Sequence, residues 1–147
     1  MSHCRLAARV VSRWPPTLNL CRWRTQASKP ILDNRELTAQ ERSLISWMLQ
    51  NGNPDASPYI ARLNVARVFS RCPCGCASID LSVDGRRPRD FRMHVLGDYQ
   101  WKDKSGNLFG AFVFEQDGLL AGLDLWSIDG AKTPRTLPNL MELRPYG

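Results

Sequence analysis

The spacing of apolar side chains changes near residue 77, and that change decides most of what this chain can become. Before it, Leu44, Ile45, Met48 and Leu49 recur at helical intervals, with Glu41, Arg42, Ser46 and Gln50 between them. After it, Ala77, Ile79, Leu81 and Val83 alternate with Ser78, Asp80 and Ser82. That is the period of a strand with one apolar and one polar face. A helix is therefore expected over 38–50. Thr38 stands three residues before Glu41, the spacing at which hydroxyl and carboxylate each satisfy the other's backbone N–H, and Asn51-Gly52 supplies a stop. Ser57 and Pro58 open a second, shorter helix over 58–67, and Val68-Phe69 either ends it or begins an extended segment.

Strands are expected over 77–83, 91–95, 108–115 and 119–128. Asp117-Gly118 joins the last two, because a two-residue hairpin loop needs positive φ at both positions. Helices followed by strands with short turns imply an α+β fold. The expectation is two N-terminal helices packed on a four-stranded antiparallel β-meander over 35–130, with a basic tail over 1–34 and an irregular Pro-containing tail over 131–147.

Length and charge narrow the field. The 147 residues fit one domain, and 43% hydrophobic with 23% charged residues is the balance of a globular chain. No apolar run approaches the roughly 18 residues that a spanning helix needs, so no membrane association is expected. The net charge of +6 invites a nucleic-acid reading, but its distribution argues against one. Residues 1–32 hold Arg5, Arg9, Arg13, Arg22, Arg24 and Lys29 and no acid, so the remainder is formally neutral. Three readings of that segment compete: a disordered tail, a transit-peptide-like arm, or a start assigned too early. The absence of a secretory apolar stretch points to a cytoplasmic protein.

Cys72, Cys74 and Cys76 alternate with Pro73 and Gly75. In an extended chain, residues two apart share a face with Cα atoms roughly 6.5–7 Å apart. A tetrahedral zinc with bonds of about 2.3 Å needs sulfurs roughly 3.8 Å apart, so metal binding requires the segment to bend. Pro73 and Gly75 permit that bend. The spacing is tighter than in common zinc sites, and a fourth ligand is needed. His94, the only histidine in the folded part, is the candidate. A redox reading pairs Cys72 with Cys76 and needs a thiolate stabilised by Arg71 or a helix terminus. The plainest reading is three small side chains packed at a tight junction, with no cofactor.

Other signals are weaker. Arg86, Arg87, Arg89 and Arg92 cluster on a turn flanked by Asp84 and Asp90, as a solvated tip would. No nucleophile elbow, phosphate loop or zinc-protease helix motif occurs, so an enzyme is not expected. Asp80, His94 and Asp124 share a sheet face if the register allows. The 108–128 segment is apolar on both faces, and Phe109, Phe112 and Trp126 are its candidate contact residues if two helices cannot cover it.

Residues 37–128 also resemble a set of uncharacterised bacterial proteins. The shared features are Leu37-Thr38 with Glu41-Arg42 opening a Trp-containing helix, Ala66-Arg67-Val68, the run from Arg71 to Asp80, and the hairpin on Asp117-Gly118. The Cys-x-Cys-Gly-Cys motif followed by Ser-Ile-Asp is the most specific of them. The resemblance implies domain limits and a bacterial, intracellular setting, and says nothing of chemistry. Two functions stand as expectations: a non-catalytic binding or protein-interaction module, accessory or immunity-like, with an unknown protein partner; or a metal-binding or thiol-redox protein built on Cys72, Cys74 and Cys76, with zinc as the possible cofactor.

Overall fold

The computed structural model describes residues 29–147. The basic segment lies outside the described residues as far as residue 28, and Cys4 and Cys21 with it. Where the description begins, a short strand β1 (Ile31–Arg35) leads into helix α1 (Ala39–Gln50). The expected reciprocal cap is present: Thr38 Oγ1 accepts from the Glu41 N–H at 3.1 Å, and Glu41 Oε2 accepts from the Thr38 N–H at 2.8 Å. Glu41 also receives both terminal nitrogens of Arg35 at 2.9 Å, which ties the helix start to β1.

Burial alone pushes the Glu41 carboxyl up, but the Arg35 guanidinium and the Thr38 N–H outweigh it and hold the pKa below the usual carboxylate value. A depressed folded-state pKa contributes stability that is present above the unfolded pKa and lost as pH falls through the folded one. Arg35 remains 35% exposed, so solvent screens part of this interaction. Glu41→Gln is expected to cost about 1–2 kcal/mol at neutral pH, with the gap to wild type closing in acid. Urea unfolding of both proteins at neutral and acid pH checks this.

The second helix is shorter than its pattern suggests. The α-helical turn α2 (Ser57–Ile60) lies between 3-10 turns at Pro54–Ala56 and Ala61–Val65. At Ala66 the backbone is already extended, with φ −82° and ψ 144°. From there strand β2 (Ala66–Arg71) buries Ala66, Val68 and Ser70 between partly covered Arg67 and Phe69. A short run of this kind satisfies both periods, and pairing with the sheet decides the matter.

The expected four-stranded meander is overturned. Among the described residues the sheet has seven strands, all antiparallel to their neighbours, in the order β1-β2-β3-β6-β5-β4-β7. The remaining strands are β3 (Ile79–Val83), β4 (Met93–Lys102), β5 (Leu108–Gln116), β6 (Leu119–Ser127) and β7 (Arg144–Pro145). β4, β5 and β6 do form a meander, and the β5–β6 turn has the positive φ expected at Asp117 (55°) and Gly118 (72°). β3, however, does not pair with β4. It pairs with β6, so the 84–92 connection carries the chain past β6 and β5 to β4. The described residues are mostly sheet, with both α-helices between β1 and β2 and a further 3-10 turn at Leu140–Glu142 just before β7.

The two sheet faces differ. One packs Leu44, Ile45, Met48 and Leu49 of α1 against Val68, Leu81, Ala111, Val113, Leu123 and Leu125. Leu143, just before β7, joins this core. The other face gathers Phe112, Phe114, Ala121 and Trp126, flanked by Met93, Val95, Ile128 and Tyr146. Among the described residues no helix is long and apolar enough to cross a membrane.

Candidate metal centre

β2 ends at Arg71 and β3 begins at Ile79, so residues 72–78 form a long connection between neighbouring antiparallel strands. The connection folds back on itself. Gly75 N–H donates to Cys72 O at 3.4 Å, Cys72 N–H to Ser78 O at 3.4 Å, and Ala77 N–H to Pro134 O at 2.9 Å. Gly75 sits at φ +85° with the Arg135 guanidinium against it, where a Cβ would come within 2.4 Å of Nη1. Glycine is needed here both for the left-handed backbone and for the space.

The bend gathers the thiols. The three Sγ atoms lie within 4.8 Å of one another, a range that includes the roughly 3.8 Å sulfur spacing of a tetrahedral thiolate site. Cys72 and Cys76 are buried, Cys74 is half-buried, and none is in a disulfide. The electrostatics do not suit nucleophilic chemistry. Hydrogen bonds with Cys74 and Cys76, together with burial, push the Cys72 thiol far up. Cys74 is drawn down by Cys72, but Cys76 and burial outweigh that and push it up to about 12. Reactive thiols need the opposite shift.

Behind the thiols stands a buried polar chain. Cys76 Sγ is 3.3 Å from Ser78 Oγ, which donates to Asp124 Oδ1 at 2.7 Å and accepts from the Leu125 N–H at 2.8 Å. Ser78 and Asp124 are 0% and 3% exposed. The chain fixes the end of the loop against β6, as the outer partners of metal ligands do. The Ser-Ile-Asp that follows the cysteines stands out in the sequence, but its role does not. The available signal is a polar residue close to a cysteine where the strand pattern begins. Asp124 shows in the sequence only as a polar strand residue.

His94 is not brought to the thiols. It lies on β4, with β5 and β6 between it and β3, and its ring nitrogens are 3.8 Å from Asp55 Oδ2 and 3.8 Å from Glu115 Oε1. It pairs across the strand with Glu115, apart from Asp80 and Asp124. Among the described residues the group with metal-ligand spacing is Cys72, Cys74 and Cys76. The three aromatic candidates are all buried. Phe109, 4% exposed, packs on Trp101 in the helix-side core, while Phe112 and Trp126, 0% and 1% exposed, belong to the opposite face. In the arginine cluster, Arg87 lies over the Phe69 ring at 4.0 Å and donates to Leu81 O at 3.1 Å, and Arg92 pairs with Asp90 at 2.6 Å.

Comparison with known proteins adds no relative: no family model, curated protein or solved structure matches the chain. Function has to be read from the thiol cluster and its surroundings.

Proposed function

We propose that the protein binds a thiophilic metal ion, zinc foremost, through Cys72, Cys74 and Cys76. The observation that carries this is the convergence of three thiols within 4.8 Å on a loop that closes by backbone hydrogen bonds of its own. A bound metal cation offsets the mutual cost of ionising three crowded thiols and turns it into ligation. Redox use has less support, because Cys72 and Cys74 are both shifted away from thiolate. The interaction-module reading has less support too. Its aromatics are buried, and the most exposed large apolar side chains, Leu32, Val65, Phe91 and Met141, sit on four separate segments.

Metal analysis of the purified full chain is the test. One zinc per chain is expected after loading and desalting, together with cobalt-to-thiolate charge-transfer absorption on substitution. Both signals should disappear in Cys72→Ser and Cys76→Ser. Less than a tenth of an equivalent of zinc, or loading unchanged by both substitutions, would sink the proposal.

A further inference from the structure

The thiol cluster offers three donors from a stretch of five residues, Cys72 to Cys76. They pack on one another as a group of their own, apart from the apolar clusters on both faces of the sheet. Among the described residues no histidine, carboxylate or further cysteine joins them at ligand spacing. Ser78 Oγ stands beside Cys76 Sγ, but it is committed to Asp124 Oδ1 at 2.7 Å and the Leu125 N–H at 2.8 Å.

That donor set fits one chemical class of guest especially well. Three ligands supplied by so short a stretch meet a guest from one side, whereas a tetrahedral ion needs a fourth donor from the far side. A trivalent, three-bonded centre with a lone pair is pyramidal and needs no fourth donor. Charge points the same way. Three thiolates around a divalent ion leave one net negative charge, and around a trivalent centre they leave none. Cys72 and Cys76 are 1% and 8% exposed, and a neutral complex costs less to bury than an anionic one. The loop is also held in shape before any guest arrives. The Cys76 N–H donates to Cys74 Sγ at 3.0 Å, and the Gly75 N–H closes the turn onto Cys72 O. A preformed site spends less of its binding energy on ordering. Half-buried Cys74 and exposed Gly75 form its rim, where a small neutral molecule can enter.

We infer that Cys72, Cys74 and Cys76 capture trivalent arsenic, delivered as arsenous acid, As(OH)3, and hold it through three As–S bonds. The inference rests on the same convergence of thiols as the zinc reading and names a further ligand class for that site. Each of three exchanges breaks one As–O and one S–H bond and forms one As–S and one O–H bond. Three waters leave, and neither arsenic nor sulfur changes oxidation state. Free thiols are the form this exchange consumes, and none of the three is in a disulfide.

Native mass spectrometry of the full-length protein, reduced with a phosphine and mixed with one equivalent of arsenite, tests this. The expected adduct is heavier by one arsenic less three hydrogens. Capture by only two thiols would leave a hydroxyl on the arsenic and a heavier adduct. The C4S/C21S double variant, which keeps only the loop cysteines, is expected to form the same adduct. Cys74→Ser should weaken arsenite binding at least about a hundredfold, because the lost bond is intramolecular and closes at high effective concentration. If that variant fails to fold, the adduct masses of wild type and C4S/C21S still decide. On protein first loaded with zinc, arsenite should release the metal to a chromophoric chelator as the arsenic adduct appears. An adduct that keeps a hydroxyl, an adduct lost in C4S/C21S, or unchanged affinity in Cys74→Ser would each overturn the inference. So would zinc retained with no arsenic bound, an outcome that leaves the zinc reading standing. Arsenic held through three bonds by a protein that takes up no zinc would support the inference and remove the zinc reading.

Discussion

Zinc affinity is expected to climb with pH by at least about two decades per unit between about pH 6 and pH 8. Cys72 and Cys74 both have pKa values raised above the ordinary thiol, Cys74 to about 12, so each holds its proton throughout that range. Ligation requires the thiolate, and each proton expelled on binding contributes one decade of apparent affinity per pH unit. The sign follows: binding is favoured above the range and lost as pH falls. A competition titration against a chromophoric chelator, corrected for the chelator's own protonation, measures the slope. A slope of about one decade per unit or less would mean that fewer than two of these thiols are ligands. Loss of a ligand in Cys74→Ser should weaken binding on the order of a hundredfold or more. Ser78→Ala removes no ligand but frees the loop end from Asp124, and about 10- to 100-fold is expected there. A weaker effect at Cys74 than at Ser78 would show that the loop, and not the half-buried thiol, governs affinity.

The parts of this molecule that are legible in its sequence are those whose cause is local. The cap at Thr38 and Glu41 and the Asp117-Gly118 turn each depend on residues a few positions apart, and both appear as expected. The strand order is not legible, because it depends on which strand β3 meets, and side-chain alternation gives the face of a strand without its neighbour. β1 escapes a sequence reading because it is an edge strand whose Ile31 and Leu32 are exposed, so it shows no buried alternation. β7 is two residues long and includes Pro145, too short for any pattern.

The thiol site divides the same way. The need for a bend at Pro73 and Gly75 follows from the distance between side chains two apart, and Gly75 does adopt positive φ. Its outer partners do not follow, because Asp124 reaches Ser78 across the β3–β6 pairing, 46 positions away in sequence. His94 is a plausible ligand only as the sole histidine in the folded part, and its position two strands beyond β6 is equally hidden.

Gly52 shows how a residue can be placed correctly for an incomplete reason, and it yields the largest stability effect expected in the described fold. As a helix stop it suggests a left-handed backbone, but its φ is not positive. What it provides is room. A Cβ there would stand 2.3 Å from Leu96 O and 2.8 Å from Met48 O, both backbone atoms that cannot swing aside. Gly97 faces it across the same junction, its own Cβ position 2.8 Å from Met48 O. The contact seats the C-terminal end of α1 on the bulge of β4 between Val95 and Gly97. Asn53 fastens it, its N–H donating to Leu96 O at 2.8 Å and its side-chain amide to Val95 O at 2.8 Å. Admitting a methyl group means lifting the helix end, stretching both hydrogen bonds and opening the core at Met48 and Leu49, 0% and 2% exposed. Gly52→Ala is therefore expected to cost about 3–5 kcal/mol, a large share of the roughly 5–15 kcal/mol typical of a domain, and to lower Tm by roughly 10–20 °C. Gly85→Ala is the control. Gly85 has φ +71° and nothing within 4 Å of the place a methyl group would take, so only backbone strain of about 1 kcal/mol is expected. Thermal melts of the two variants separate close approach from conformational freedom. If Gly52→Ala proves no worse than Gly85→Ala, the end of α1 does not rest on the β4 bulge.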